Sequence, residues 1–161
     1  MTSLRGMSLV RRATVEDAEE VLRLRQVMID SMSGSDPGTE WHVPALPALR
    51  DRLARDEDFA AFTVDHPERP GALAALVVGT VDYRIGKAAN PHGKAGYVFS
   101  VATDPDARRR GYARACMDEL LEWFRERGAG QVLLTASAEA EPLYASLGFV
   151  HKPDPAMSLQ L

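Results

Sequence analysis

Cysteine is nearly missing: the 161 residues hold one, Cys116. A single thiol excludes a disulfide within the chain and leaves a cysteine-based zinc site without ligands. Long apolar runs are missing too. The longest, ALAALVV at 72–78, falls far short of the about 20 residues that cross a bilayer. The first stretch, MTSLRGMSLVRRA, has no apolar core of the kind that marks a secretory signal. Positive charge is not in excess: 19 Lys and Arg stand against 23 Asp and Glu, a net charge of −4, which argues against a general nucleic-acid binder. Repeats and low-complexity tracts are absent as well. Together these absences point to a cytoplasmic protein that neither enters a membrane nor coats nucleic acid.

What is present is the composition of a soluble globular chain, 45% hydrophobic and 26% charged. One domain over residues 1–161 is expected, with 1–7 as an N-terminal extension and Met7 as a second candidate start. SLVRRA at 8–13 reads as a first strand. Thr14 with Asp17 three residues on forms a variant capping box. Ala18, Val21, Leu22, Met28, Ile29 and Met32 then mark one face of a helix over about 15–32. Residues 33–44 are rich in turn formers and read as a loop, and Leu46, Leu49 and Leu53 give a short helix over 45–55. FAAFTVD at 59–65 and ALAALVVGTVDYR at 72–84 form a hairpin, a loop follows at 86–94, and AGYVFSVAT at 95–103 is a strand. Ala113, Cys116, Met117, Leu120, Leu121 and Phe124 are a clean helical stripe that Gly128 stops. QVLLTA at 131–136 is a strand, AEPLYASLG a short helix ending at Gly148, and FVHK and AMSLQL two closing strands. The strand–helix–strand unit over 97–136 requires a parallel crossover, whereas the hairpins are antiparallel. The fold class expected is α/β (α+β): a mixed, mostly antiparallel sheet of six to seven strands with helices on both faces.

The stretch VATDPDARRRGYA, Val101 to Ala113, sets three adjacent cations and a glycine between a strand and the long helix. The start of a helix exposes unpaired N–H groups with partial positive charge, a site suited to an anion. A glycine at that point, Gly111, puts no side chain in the way, and Arg108, Arg109 and Arg110 add charge. A diphosphate is the natural occupant. It is not held by either common phosphate loop, since neither G-x-x-x-x-G-K-[ST] nor G-x-G-x-x-G occurs.

RRRGYA, Arg108 to Ala113, resembles the acetyl-CoA loop of the GNAT superfamily of N-acetyltransferases, [Gln/Arg]-x-x-Gly-x-[Gly/Ala]. The strand and proline before it, and AEPLYASLGF at 140–149, resemble further parts of the family's signature, and the element order matches from Ser8 to Leu161. The resemblance implies the GNAT (acyl-CoA N-acyltransferase) fold and transfer of an acetyl group from acetyl-CoA to a primary amine of a small molecule or protein, by direct attack in a ternary complex. It implies that Val101, Ala102 and Thr103 lend main-chain groups to the pantetheine arm. It implies that Arg108, Arg109, Arg110, Gly111, Tyr112 and Ala113 hold the diphosphate, and that Tyr144 is the general acid for the leaving thiolate. Ser137 stands where many members have Asn beside the cofactor. Acetyl-CoA is then a co-substrate, no metal is called for, and the last strands leave room for a homodimer. Two other readings share the motif: transfer of a different acyl group, and a non-catalytic acyl-CoA-binding or sensor module.

Other residues carry weaker signals. Trp41 and His42 lie in the loop between the first two helices and are candidate acceptor contacts. His92, Asp82 and Ser100 are candidate bases for deprotonating the amine. Cys116 lies on the apolar stripe and reads as core, and Met28 and Met32, on the first helix's stripe, read as core or loop lining. His66 and His151 carry no signal.

Overall fold

The structure, a computed structural model, describes residues 8–32 and 38–161. The expected extension at 1–7 and residues 33–37 of the expected loop lie outside the described residues. The chain opens with β1 (Val10–Arg12) and a 3-10 turn, Val15–Asp17, which Thr14 and Asp17 close as a capping box. Next come α1 (Ala18–Ser31), α2 (His42–Arg55), β2 (Phe59–Asp65), β3 (Leu73–Tyr83) and β4 (Lys94–Thr103). A second 3-10 turn, Pro105–Ala107, leads into α3 (Tyr112–Glu126), β5 (Gln131–Leu134) and α4 (Glu141–Ser146).

The strands lie side by side in chain order, β1 to β5; the first three pairings are antiparallel and β4–β5 is parallel across α3. Period-two alternation on β3 serves two cores at once. Val77 and Val81 face Leu120, Phe124, Cys116 and Met117 of α3, while Leu76 and Val78 face Val21 and Leu24 of α1 with Leu49 and Leu53 of α2 packed alongside. Each such fully buried large side chain contributes roughly 1.5–3 kcal/mol. Two glycines let α3 sit close. A Cβ built on Gly79 would lie 2.6 Å from the Phe124 ring, and one on Gly96 2.7 Å from it.

The sheet has five strands among the described residues rather than six or seven. FVHK and AMSLQL form none: residues 149–161 have no regular structure, and every residue of 150–161 is exposed. Pro153 and Pro155 remove two donors that a ladder there would use. β5 ends at Leu134, two residues before the expected end. α2 begins at His42, inside the expected loop. Pro44 falls in its first turn, where no intrahelical acceptor is lost, and Pro47 is carried inside the helix at the loss of one bond. Among the described residues no helix is long and apolar enough to cross a membrane.

Candidate active site

The site grows from a mismatch in length between β4 and β5. β4 pairs with β5 only from Ala95 to Val98, opposite Gln131 to Leu134. It continues to Thr103 with β3 on one side alone, as far as the Thr103–Ala75 pair. Between Val78 and Gly79 the β4 partner jumps from Ser100 to Val98, so Phe99 is a bulged extra residue where the two strands part. The edge of β4 over 99–103, which includes Val101, Ala102 and Thr103, is therefore free of a strand neighbour among the described residues. An extended ligand can lie along it.

The bulge is held from the α1 side. Arg25 Nη1 donates to the Phe99 carbonyl at 3.3 Å and to the Ser100 hydroxyl. Burial draws the Arg25 pKa down from its usual value, and the group still stays charged.

At the far end of that edge the chain turns sharply. The Asp104 N–H donates to the Ala74 carbonyl at 2.7 Å, and the 3-10 turn follows. Arg108 is extended, Arg109 has φ 65°, and Gly111 has φ 79° at the N-cap of α3. Arg109 is the one non-glycine residue with positive φ among the described residues. No side chain caps α3, so its first N–H groups stay open. A Cβ on Gly111 would meet nothing within 4 Å, so no described residue crowds that side of the turn. Arg108 and Arg109 are exposed beside it, whereas Arg110 is committed to Glu68 at 2.9 Å. Of the three adjacent cations, then, one is already neutralised.

Tyr144 lies on α4 with its ring buried against Phe149, centroids 5.9 Å apart. Burial raises its pKa, so it is fully protonated near neutral pH. No buried side-chain nitrogen or oxygen among the described residues lacks a hydrogen-bond partner, and none is assigned to the Tyr144 hydroxyl, which therefore reaches the accessible surface. Arg114 of α3 donates to the Ser146 hydroxyl at 2.8 Å and ties α4 to the first turn of α3. Tyr144 also borders a cavity of about 740 Å³ lined by β5, Tyr97, Leu121 and Phe149. Residues 101–113 do not line it, so the loop and the tyrosine share a helix contact but not one cavity.

The remaining expectations divide. Ser137 accepts the Ala140 N–H through its hydroxyl at 3.2 Å, which gives it the work of starting α4. Trp41 Nε1 donates to Gln26 Oε1 at 2.8 Å and His42 Nε2 lies 2.9 Å from the same oxygen, so both half-buried rings are pinned to α1. Asp82 pairs with Arg84 at 3.3 Å, Ser100 is engaged by Arg25, and His92 is exposed in the β3–β4 connection. Cys116 is fully buried and its thiol is pushed up to about 12, which fits a core residue. Arg25, His66, Asp104 and Asp106 were not singled out from the sequence; isolated charges have no periodicity to betray them.

A family model described as "Acetyltransferase (GNAT) family" matches residues 25–149. Glucosamine 6-phosphate N-acetyltransferase 1 of Oryza sativa subsp. japonica is 29% identical over 141 residues, covering 83% of this chain and 84% of that protein. A GCN5-related N-acetyltransferase from Ralstonia eutropha JMP134 superposes with a TM-score of 0.78 at 28% identity, over 93% of this chain and 97% of that one. A predicted acetyltransferase with acetyl-CoA from Clostridium acetobutylicum superposes with a TM-score of 0.79 at 20% identity, over 94% of each chain, a likeness of fold.

Proposed function

The chain belongs to the acetyltransferase (GNAT) family, and on that premise we propose that it moves the acetyl group of acetyl-CoA to a primary amine by direct attack in a ternary complex. The observation that carries this reading is the open start of α3, with Gly111 at φ 79° and no described residue crowding that side of the turn, at the end of the unpaired β4 edge. The residues present fit the co-substrate. The N–H groups of the Gly111–Ala113 turn receive the diphosphate, and Arg108 and Arg109 supply the field around it. The 99–103 edge receives the pantetheine arm as though it were a strand. In this reading the arm brings the thioester toward the Phe99 bulge, and a main-chain donor there stabilises the oxyanion.

Tyr144 is the general acid. It is protonated at neutral pH, its hydroxyl has no hydrogen bond among the described residues, and a thiolate of ordinary pKa about 8.5 is its acceptor. The acceptor class is a small-molecule amine in this reading. The rice relative, whose name gives an amino sugar phosphate as its substrate, aligns over most of both chains.

The test has two parts. Thiol release from acetyl-CoA is followed across polyamines, aminoglycosides, amino sugars, amino acids and peptides, and CoA binding is followed by calorimetry. Gly111→Glu places a carboxylate in the anion site and should abolish CoA binding, whereas Gly111→Ala carries the same φ strain without the charge and should retain most of it. Equal affinity for Gly111→Glu and wild type would remove the loop assignment. CoA binding with no turnover on any amine would turn the reading toward an acyl-CoA-binding module.

A further inference from the structure

One group of ionisable side chains has no part in the chemistry above, yet it converges on residues 104–110. It starts at the turn between β2 and β3. His66 is buried, with 1% of its side chain exposed. The Glu68 N–H donates to His66 Nδ1 at 3.1 Å, so that nitrogen carries no hydrogen; Nε2 does, and lies 2.8 Å from Asp106 Oδ1. The Asp106 carboxyl is held below the usual carboxylate range, first of all by this hydrogen bond. Arg69, from the same turn, pairs with Asp104 and lies 3.4 Å from Asp106. Glu68 pairs with Arg110 at 2.9 Å, and Arg110 Nη2 also donates to the Asp106 carbonyl at 3.1 Å. From α1, Arg23 reaches Asp104 at 2.9 Å, and Glu20 holds both Arg23 at 2.7 Å and the Leu73 N–H at 2.8 Å.

His66, Asp104 and Asp106 together offer three ligand atoms within 4.8 Å of one another, the spacing of a cation site. Two guanidiniums, Arg23 and Arg69, already occupy Asp104, so the cluster's cations are its own. What the cluster fixes is a piece of main chain. Immediately after it come Arg109 and Gly111, both with positive φ, and a non-glycine residue keeps that conformation only where its surroundings over-determine it.

We propose that the β2–β3 turn is a clasp for the diphosphate loop, with His66, Glu68 and Arg69 as positioning residues that hold Asp104, Asp106 and Arg110 so that the Arg109–Gly111 backbone stays in its anion-accepting shape. The inference rests on the loop assignment made above. None of the three clasp residues touches the ligand. They act by sparing the loop the ordering that it would otherwise undergo on binding.

The test compares acetyl-CoA with S-acetylpantetheine, which lacks the diphosphate, on the best amine from the screen. Wild type should prefer acetyl-CoA. His66→Leu should lower kcat/KM for acetyl-CoA about tenfold, the scale of one hydrogen bond to a charged group, and leave S-acetylpantetheine unchanged. Asp106→Ala, at a half-exposed side chain, should do the same and stands in if His66→Leu does not fold. The double variant should lose less than the two single losses combined, because both cut the His66–Asp106 bond while each also loses a contact of its own. A loss shared equally by the two thioesters, or an unchanged preference for acetyl-CoA, overturns the clasp, as do additive losses in the double variant. A wild type with no preference for acetyl-CoA instead overturns the loop assignment beneath it.

Discussion

Tyr144→Phe separates acid catalysis from packing, because the two atoms at issue do different work. The ring is buried against Phe149 and belongs to the α3-side core, so Phe keeps that contact. The hydroxyl has no hydrogen bond assigned to it among the described residues. Its removal should change stability by less than about 0.5 kcal/mol, or about 1–2 °C in Tm for a chain of this size. CoA affinity should hold within about twofold, since the diphosphate loop lies elsewhere. The rate should not hold. A positioned general acid contributes typically about 10²–10⁴-fold, so kcat should fall by that factor, about 2.7–5.4 kcal/mol in the barrier.

The pH dependence carries a second signature. Burial raises the Tyr144 pKa, so the acid form survives to higher pH than in an ordinary tyrosine, and the alkaline limb of kcat should begin above about 10. The sign for stability is the same. A raised folded-state pKa contributes stability that is present below the unfolded value and is lost as pH rises through the folded value. The Phe variant lacks that loss and should gain on wild type above about pH 10. Steady-state kinetics and calorimetry on both proteins decide the matter. A kcat within about threefold of wild type, or a fall in kcat matched by an equal fall in CoA affinity, would remove Tyr144 from the mechanism.

Two further outcomes test the scaffold. Gly96→Ala puts a Cβ 2.7 Å from the Phe124 ring, and overpacking of this kind costs about 1–3 kcal/mol, so Tm should fall by roughly 3–10 °C and recover in part when Phe124→Leu is added; an unchanged Tm would mean that α3 sits farther from the sheet. Cys116, fully buried with its thiol pushed up to about 12, should resist a thiol reagent at pH 8 in the native protein and react on addition of denaturant; rapid native labelling would contradict its burial.

The parts of the fold that were legible in the sequence are those whose signal is local. The α3 stripe is one: Cys116, Met117, Leu120 and Phe124 are buried as their spacing requires, and Gly128, at φ 83°, ends the helix region. Thr14 and Asp17 cap the first turn, and the 59–65 strand matches residue for residue. The failures are non-local or come from proline. Met157, Leu159 and Leu161 alternate as a strand does, but alternation supplies a face and not a partner, and the three stay exposed. Pro44 reads as a loop residue, although it falls in the first turn of a helix, where a backbone N–H would have no intrahelical acceptor. Trp41 and His42 also carry a contact that spacing does not display: both rings reach the side-chain oxygen of Gln26, fifteen residues before Trp41 in the chain, and their contact with the acceptor stays a proposal.

The three arginines of RRRGYA illustrate the limit of reading charge from sequence. Adjacent in the chain, they differ in what they can offer. Arg110 is bound to Glu68 and to the Asp106 carbonyl, so its charge steadies the loop. Arg109 bends the backbone at φ 65°, and Arg108 runs extended before it. All three are exposed, and of the three only Arg110 is in an ion pair among the described residues. An isolated surface cation is worth little in water, because its field is screened within about 10 Å at ordinary salt. Fixed N–H groups aimed at one point lose no side-chain entropy on binding and select for shape as well as sign. On the proposed loop assignment the discrimination therefore belongs to the main chain of Arg109–Ala113, and under the proposed clasp the side chains around it, from Glu20 to Arg110, hold that main chain still.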